Sequence, residues 1–218
     1  MASANLDFSS TVLLIVDAQN DFFPGGALEV KSGDVIIKPL NNLIELFSAR
    51  NGRIVATQDW HPENHASFAS AHENKKPYDT LDLGEVKNQI LWPKHCVQGS
   101  SGAEFHKDMD LRPVNFIIRK GFRKKLDSYS AFFENDRKTS TGLDGLLRCL
   151  AINNVVIGGL ATDFCVLYSA FDSANLGYNT FVVSDAVCGI DFPAGSVLKA
   201  LQILEKTRVT VLASGDIQ

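Results

Sequence analysis

Short runs of apolar, β-branched residues alternate along this chain with longer stretches that are apolar on one side only. The short runs are typical of buried strands, and there are six of them, at residues 11–16, 53–57, 114–118, 155–158, 180–183 and 209–212. The longer stretches have the spacing of amphipathic helices, at residues 34–51, 143–152, 163–176 and 196–207. Gly52 and Gly177 follow two of these stretches, where glycine commonly ends a helix.

This alternation predicts a fold class. Strands separated by helices indicate a six-stranded, mostly parallel sheet with helices on both faces, which is a three-layer α/β/α architecture of Rossmann-like topology. No repeat or linker interrupts the pattern, so residues 1–218 are predicted to form a single domain. Residues 60–102 are rich in His, Pro, Asn and Gly, and we expect them to form an extended set of functional loops.

Composition narrows the classes of function. The net charge of −4 offers no broad basic surface, so nucleic acid is not expected as a partner. The N-terminus lacks the basic and apolar regions of a secretion signal, and no apolar run is long enough to span a bilayer. These features predict a cytoplasmic protein without membrane contact. The four cysteines form no CxxC pair and are expected to be reduced thiols.

Reactive residues stand at equivalent positions after four of the predicted strands. Asp17 and Asp59 follow the first two, Lys120 follows the third, and Cys165 follows the fourth at the start of a helix. Ligands of doubly wound sheets bind at the carboxyl ends of the strands. We therefore expect these four side chains to share one site.

Cys165 ends the segment GGLATDFC, in which a strand turns into a helix with Thr162 or Asp163 as candidate N-cap. In the first turn of a helix, the dipole would lower the pKa of the thiol and free N–H groups could form an oxyanion hole. Asp17 could accept its proton and Lys120 could hold the resulting charge. Taken singly, Asp17 could instead cap a turn, and Lys120 could be a solvated charge at a strand end.

Asp59 and His61 lie two positions apart in an extended segment, so both side chains can point the same way. His95 in the long loop could supply a third ligand, and His65 a fourth. One carboxylate and two imidazoles suit a divalent transition metal, with zinc the first choice and iron or manganese as alternatives.

Six motifs in this order resemble the nicotinamidase branch of the isochorismatase-like cysteine hydrolases: VDAQNDF, QDWHPENHASF, LWPKHC, KG, YSAF and GLATDFCV. The resemblance implies an isochorismatase-like α/β/α fold, a triad of Asp17, Lys120 and Cys165, and a metal held by Asp59, His61 and His95. It also implies a cis peptide bond before Ala161 and an oxyanion hole built from the N–H groups of Ala161 and Cys165. Phe22 and Trp92 would wall the substrate ring, with Tyr129 close by.

The activity that the resemblance implies is hydrolysis of nicotinamide to nicotinate and ammonia through a cysteine thioester, feeding NAD salvage. Three alternatives remain. A related hydrolase of ureido or other carboxamide substrates would usually lack the two metal-binding histidines, and an isochorismatase would lack the cysteine. A flavodoxin-like nucleotide-binding protein would need a phosphate loop after the first strand, where AQNDFFPGG places apolar bulk before the glycines. The pattern leaves open whether the chain forms a homo-oligomer.

Overall fold

The structure, a computed structural model, describes residues 4–218. Its strands are β1 (Thr11–Val16), β2 (Arg53–Asp59), β3 (Thr80–Leu83), β4 (Val86–Ile90), β5 (Phe116–Lys120), β6 (Asn154–Leu160), β7 (Asn179–Cys188) and β8 (Val209–Leu212). Its α-helices are α1 (Ile37–Ala49), α2 (Leu143–Cys149), α3 (Leu167–Asn175) and α4 (Ser196–Glu205). None of the helices in this part of the chain is long and apolar enough to cross a membrane.

Six strands form one sheet in the order β5-β2-β1-β6-β7-β8, and every pair of neighbours is parallel. The chain builds outward from β1 to one edge and then returns to β6 to build the other half. The strand order therefore reverses between β1 and β6, and this is where a doubly wound sheet binds its ligands. The predicted six-stranded α/β/α fold is confirmed.

Burial explains why these segments form these elements. All six residues of β1 are apolar or small and buried, as expected for a central strand covered on both faces. In α1, the buried residues Leu40, Leu43, Ile44 and Phe47 recur at intervals of three and four and so form one apolar face.

Several element boundaries differ from the sequence prediction, and those of β5 and α3 lie next to the reactive residues. β5 starts at Phe116 and ends at Lys120, two residues later than predicted, because its register pairs Val55 with Phe116 and Asp59 with Lys120. β5 lies at the sheet edge, where polar residues such as Arg119 are tolerated. α3 begins at Leu167 because the residues before it form a π-helical turn.

The predicted loop segment 60–102 contains a hairpin that the sequence pattern did not reveal. β3 and β4 pair antiparallel with an irregularity between Leu81 and Leu83. β3 (TLDL) alternates over only four residues and β4 (VKNQI) does not alternate, so the apolar periodicity is too short to identify the two strands. One residue of the hairpin, Gln89, is buried.

Candidate active site

The carboxyl ends of the strands bring four reactive side chains together. Asp17 follows β1, Asp59 ends β2, Lys120 ends β5, and Cys165 follows β6 in the adjoining turn. All four are buried, and Asp17 and Lys120 have no exposed surface. Because polar groups are buried at a cost unless they are paired, each must find partners within the cluster.

The ammonium group of Lys120 is at the centre of this cluster. Its Nζ lies 2.8 Å from Asp17 Oδ2, 2.6 Å from Asp59 Oδ1 and 3.5 Å from Cys165 Sγ. It also donates to the carbonyl oxygen of Ser128 at 2.8 Å. The other carboxylate oxygen of Asp17 accepts a hydrogen bond from Thr57 Oγ1 at 2.6 Å. One cation therefore contacts two carboxylates beside the sulfur.

Burial determines the protonation of the thiol. It raises the pKa of Cys165 well above the ordinary value, although the charge of Lys120 opposes this shift. The sequence prediction of a lowered Cys165 pKa was therefore wrong, because loss of water and the nearby carboxylates of Asp17 and Asp59 favour the neutral thiol. Burial also raises the pKa of Asp17, against the opposing charge of Lys120. Burial disfavours the charged form of Lys120, but the two carboxylates outweigh this effect and raise its pKa well above 10.5.

The turn that carries Cys165 is a π-helix over Thr162–Val166. The Leu160–Ala161 peptide bond before it is cis, as the family resemblance implied. The Ala161 carbonyl accepts hydrogen bonds from the N–H groups of Phe164 and Val166, each at 3.1 Å. These bonds hold the turn closely against the end of β6, with Cys165 between the two donors.

The predicted N-cap at Thr162 or Asp163 was wrong. Ala161 occupies the capping position, and no side chain caps the turn. The carboxylate of Asp163 instead accepts from the N–H groups of Ile190 and Asp191, at 3.0 and 2.9 Å, and from Ser196 Oγ at 2.5 Å. Asp163 thus anchors the loop after β7, which the local sequence pattern could not show.

A second cluster, next to the first, has the composition of a metal site. Asp59, His61 and His95 each offer a ligand atom, and these atoms all lie within 4.8 Å of one another. Nε2 of His61 and of His95 lie 3.6 and 3.9 Å from Asp59 Oδ2. Each Nδ1 is 2.8 Å from a backbone carbonyl, of Gly121 for His61 and of Pro93 for His95.

These contacts fit a transition metal. A carbonyl at Nδ1 fixes the tautomer that presents a free Nε2 lone pair, as is common for metal-binding histidines. His61 Nε2 is buried without a hydrogen-bond partner, which is costly unless a ligand satisfies it. The three residues therefore form a plausible donor set for zinc or a similar ion.

His65 is adjacent to His61, with the ring centroids 4.5 Å apart. Its Nδ1 is 2.7 Å from Ser67 Oγ, and its Nε2 is 2.9 Å from the carbonyl of Arg123. The atoms of His61, His65 and Asp127 are also close enough for a metal. Because both ring nitrogens of His65 already have partners, its contacts favour a supporting position over that of a fourth ligand.

A small cavity opens beside Cys165. Phe22, Trp92 and Tyr129, the three predicted ring-binding residues, all line it. Its other lining residues are Leu28, Asp59, His95, Asp127, Ala161, Phe164, Cys165 and Ile190. The Trp92 and Phe164 rings meet edge to face at 4.9 Å, which makes a rigid aromatic wall.

Sequence reasoning missed four residues of this cavity. Phe164 adjoins Cys165 and Asp127 lies two residues before Tyr129, so their nearness to recognised motifs was an available signal. Leu28 and Ile190 lie in irregular segments with no marked pattern, and only the tertiary structure brings them to the cavity.

The isochorismatase domain family matches residues 11–213, a range that contains every residue of both clusters. The chain belongs to the isochorismatase family. Within this family, the nicotinamidase of Acinetobacter baylyi is 47% identical over 209 residues, covering 96% of this chain and 95% of the relative. The motif resemblance to this family is therefore confirmed.

Solved structures show the same relationship. A nicotinamidase and pyrazinamidase from Acinetobacter baumanii superposes with a TM-score of 0.90 at 45% identity, covering 95% of this chain and 98% of its own. A pyrazinamidase of Pyrococcus horikoshii, solved in complex with zinc, has a TM-score of 0.77 at 34% identity and covers 94% and 99%. These isochorismatase-family structures share the fold over nearly the whole chain.

Proposed function

We propose that this isochorismatase-family enzyme is a nicotinamidase, which hydrolyses nicotinamide to nicotinate and ammonia. One observation carries the proposal. Cys165, Asp17 and Lys120 form a single buried cluster beside the histidine pair, in a chain 47% identical to a nicotinamidase over nearly its whole length. The aromatic residues that line the cavity beside Cys165 suit contact with a flat ring.

In the proposed first step, Asp17 takes the proton of the Cys165 thiol. A carboxylate oxygen of Asp17 lies within 4.8 Å of Cys165 Sγ, and the raised pKa of the thiol makes a base necessary. Lys120, in contact with both residues, stabilises the thiolate as it forms. The sulfur then attacks the amide carbon and a tetrahedral oxyanion results.

The N–H groups of Ala161 and Cys165 are the proposed donors to that oxyanion, because the turn holds both at the end of β6. Asp17 returns its proton to the amide nitrogen, the C–N bond breaks, and ammonia leaves. The acyl group remains on Cys165 as a thioester. A water molecule that gives its proton to Asp17 then hydrolyses the thioester, which releases nicotinate and restores the thiol.

Asp59, His61 and His95 are the residues proposed to hold one divalent metal ion, with zinc as first choice. Bound there, the ion would supply an open coordination position for the pyridine nitrogen of the substrate. The protein itself orients the ring, because Phe22, Trp92 and Tyr129 line the cavity between the two clusters. Such positioning can contribute on the order of 7 to 11 kcal/mol in favourable cases.

A related hydrolase of ureido or other carboxamides is less well supported. Such an enzyme would not require two histidines whose Nε2 atoms both face Asp59, as they do here.

The proposal is tested by incubating the purified protein with nicotinamide and measuring both ammonia and nicotinate. Equal amounts of the two products are expected, and none from a Cys165→Ala variant. Absence of turnover in a folded, zinc-loaded protein would refute the proposed activity, and turnover of a ureido substrate in its place would support the alternative.

A further inference from the structure

Gln89 is a buried polar residue on an otherwise exposed strand. In β4 its neighbours are exposed or half-buried, whereas only 3% of Gln89 is exposed. A buried amide is costly unless it is hydrogen-bonded, so its partners indicate what the hairpin is packed against.

The Gln89 amide has partners on both sides. Its Oε1 accepts from Asn135 Nδ2 at 2.9 Å. Its Nε2 lies 2.9 Å from Asp127 Oδ2, from Tyr129 Oη and from the carbonyl of Ile90. In a flipped amide, the oxygen would face the Asp127 carboxylate and the NH₂ would face the Asn135 NH₂ group. Both contacts would be unfavourable, so they set the orientation of the Gln89 amide.

Two N–H donors converge on the hydroxyl of Tyr129. One is Gln89 Nε2, and the other is Trp92 Nε1 at 3.2 Å. The phenolic oxygen can accept both bonds, which fixes the outer end of the ring. Asn135 Oδ1 accepts from the backbone N–H of Tyr129 at 2.9 Å and so fixes the backbone from which the ring extends. The hydroxyl and the backbone of Tyr129 are thus both held, one by Gln89 directly and the other by Asn135, which is bonded to Gln89.

We propose that Gln89 is a positioning residue that sets the Tyr129 ring against the cavity and thereby determines which substituted rings the enzyme accepts. The inference rests on the proposed function, because the ring in question is that of nicotinamide. Tyr129 lines the cavity with Cys165, whereas Gln89 does not touch it. Gln89 therefore acts through Tyr129.

The test compares Gln89→Met, which keeps the length of the side chain and removes its hydrogen bonds, with Lys87→Met on the same strand, whose side chain is 67% exposed. For each protein, kcat/KM is measured for nicotinamide and for nicotinamides methylated at the ring carbons. Gln89→Met is expected to raise KM for nicotinamide more than it lowers kcat, and to raise the methylated-to-unmethylated ratio of kcat/KM by about threefold or more for at least one ring position. Lys87→Met should leave KM and every ratio unchanged.

The ratio separates positioning from mere loss of fold, because partial unfolding lowers kcat/KM for all substrates equally. If Gln89→Met does not fold, Gln89→Asn provides the same measurement, since it keeps a buried amide but is one methylene shorter and draws the N–H donors back from the Tyr129 hydroxyl. Ratios that match the wild type in the folded variant would overturn the inference while leaving the proposed function intact. A wild-type protein that does not hydrolyse nicotinamide would overturn both.

A double-mutant cycle tests whether Gln89 acts through the Tyr129 hydroxyl. In a Tyr129→Phe background the hydroxyl is absent, so Gln89→Met should shift the ratio clearly less than in the wild type. The same shift in both backgrounds would show that Gln89 does not act through the Tyr129 hydroxyl, and would overturn the inference.

Discussion

At the residue scale, Cys165 combines a buried thiol with a base and a cation in reach. Burial raises the pKa of the thiol, so a base is needed to generate the proposed thiolate nucleophile. Asp17 and Lys120 lie close enough to do this together. The three residues should therefore behave as one unit, and loss of any one should cost most of the activity.

Replacing Cys165 with Ala should lower kcat by at least about 1,000-fold, because Cys165 is the proposed carrier of the acyl intermediate. Acid-trapped single-turnover reactions of the wild type should show the acyl mass on the peptide that contains Cys165. The matched control is Cys149→Ala, since Cys149 is an exposed thiol away from the cluster. An acyl adduct on Cys96, Cys149 or Cys188 would disprove the assignment.

Replacing Lys120 with Met should destabilise the fold as well as abolish turnover. The change leaves the buried carboxylates of Asp17 and Asp59 side by side without their shared cation. Removal of one partner of a buried ion pair typically costs about 3–5 kcal/mol. Urea denaturation should show a loss of this size, whereas Lys87→Met, which breaks only an exposed ion pair with Asp82, should show almost none. Equal midpoints for the two variants would contradict this role of Lys120.

At the scale of elements, the segment after β5 supports His61, one of the proposed metal ligands. Gly121 follows Lys120 directly and has a φ of +62°, and its carbonyl oxygen accepts a hydrogen bond from His61 Nδ1. A Cβ at this position would overlap the His61 ring. Glycine is therefore required here both by the backbone conformation and by the closeness of the imidazole.

Gly121→Ala should displace the His61 ring and lower the metal content well below about one ion per chain. Gly84→Ala is a matched control, because Gly84 has a φ of +60° but nothing within 4 Å of the added Cβ. Both variants carry the same backbone strain, so a difference in metal content measured by elemental analysis isolates the contact with His61. His61→Ala should also lose metal. Full metal occupancy in Gly121→Ala and His61→Ala would remove His61 from the proposed site.

At the scale of the whole molecule, the cavity depends on segments far apart in the chain. Phe22 follows β1, Trp92 follows the hairpin, Phe164 belongs to the π-helical turn and Ile190 follows β7. The substrate ring would thus contact four separate segments, with the metal cluster on one side and Cys165 on the other. Recognition should therefore depend on the ring nitrogen as well as on ring shape.

Benzamide tests this dependence, because it keeps the ring and the amide but lacks the nitrogen. If the metal contacts that nitrogen, kcat/KM should be lower for benzamide than for nicotinamide, by about tenfold for each 1.4 kcal/mol of lost transition-state interaction. Pyrazinamide keeps a nitrogen at the same position and should be cleaved. Similar kcat/KM values for benzamide and nicotinamide would show that the ring nitrogen is not recognised.

The whole chain is proposed to fold as a single domain, since the buried apolar residues on both faces of the sheet belong to one hydrophobic cluster. Thermal unfolding should then show one transition, with the same midpoint by circular dichroism and by tryptophan fluorescence. Trp60 and Trp92 report on the loop segment, whereas circular dichroism reports on helices and strands throughout. Two separate midpoints would indicate that the loop segment unfolds independently.

The sequence by itself determined the six sheet strands, the α/β/α class and the four reactive residues at strand ends. It could do so because the apolar period of a strand or helix is local, and because polarity resumes where a buried strand ends. The motifs also identified the family. By contrast, only the tertiary structure decided that His65 has no free nitrogen, that Asp163 anchors a distant loop, that burial raises the Cys165 pKa, and that Gln89 supports Tyr129. Ser67 lies two residues from His65, but the other partners lie 27 to 58 residues away along the chain. Neither such distant contacts nor the exclusion of water leaves a periodic signal in the sequence around the residue itself.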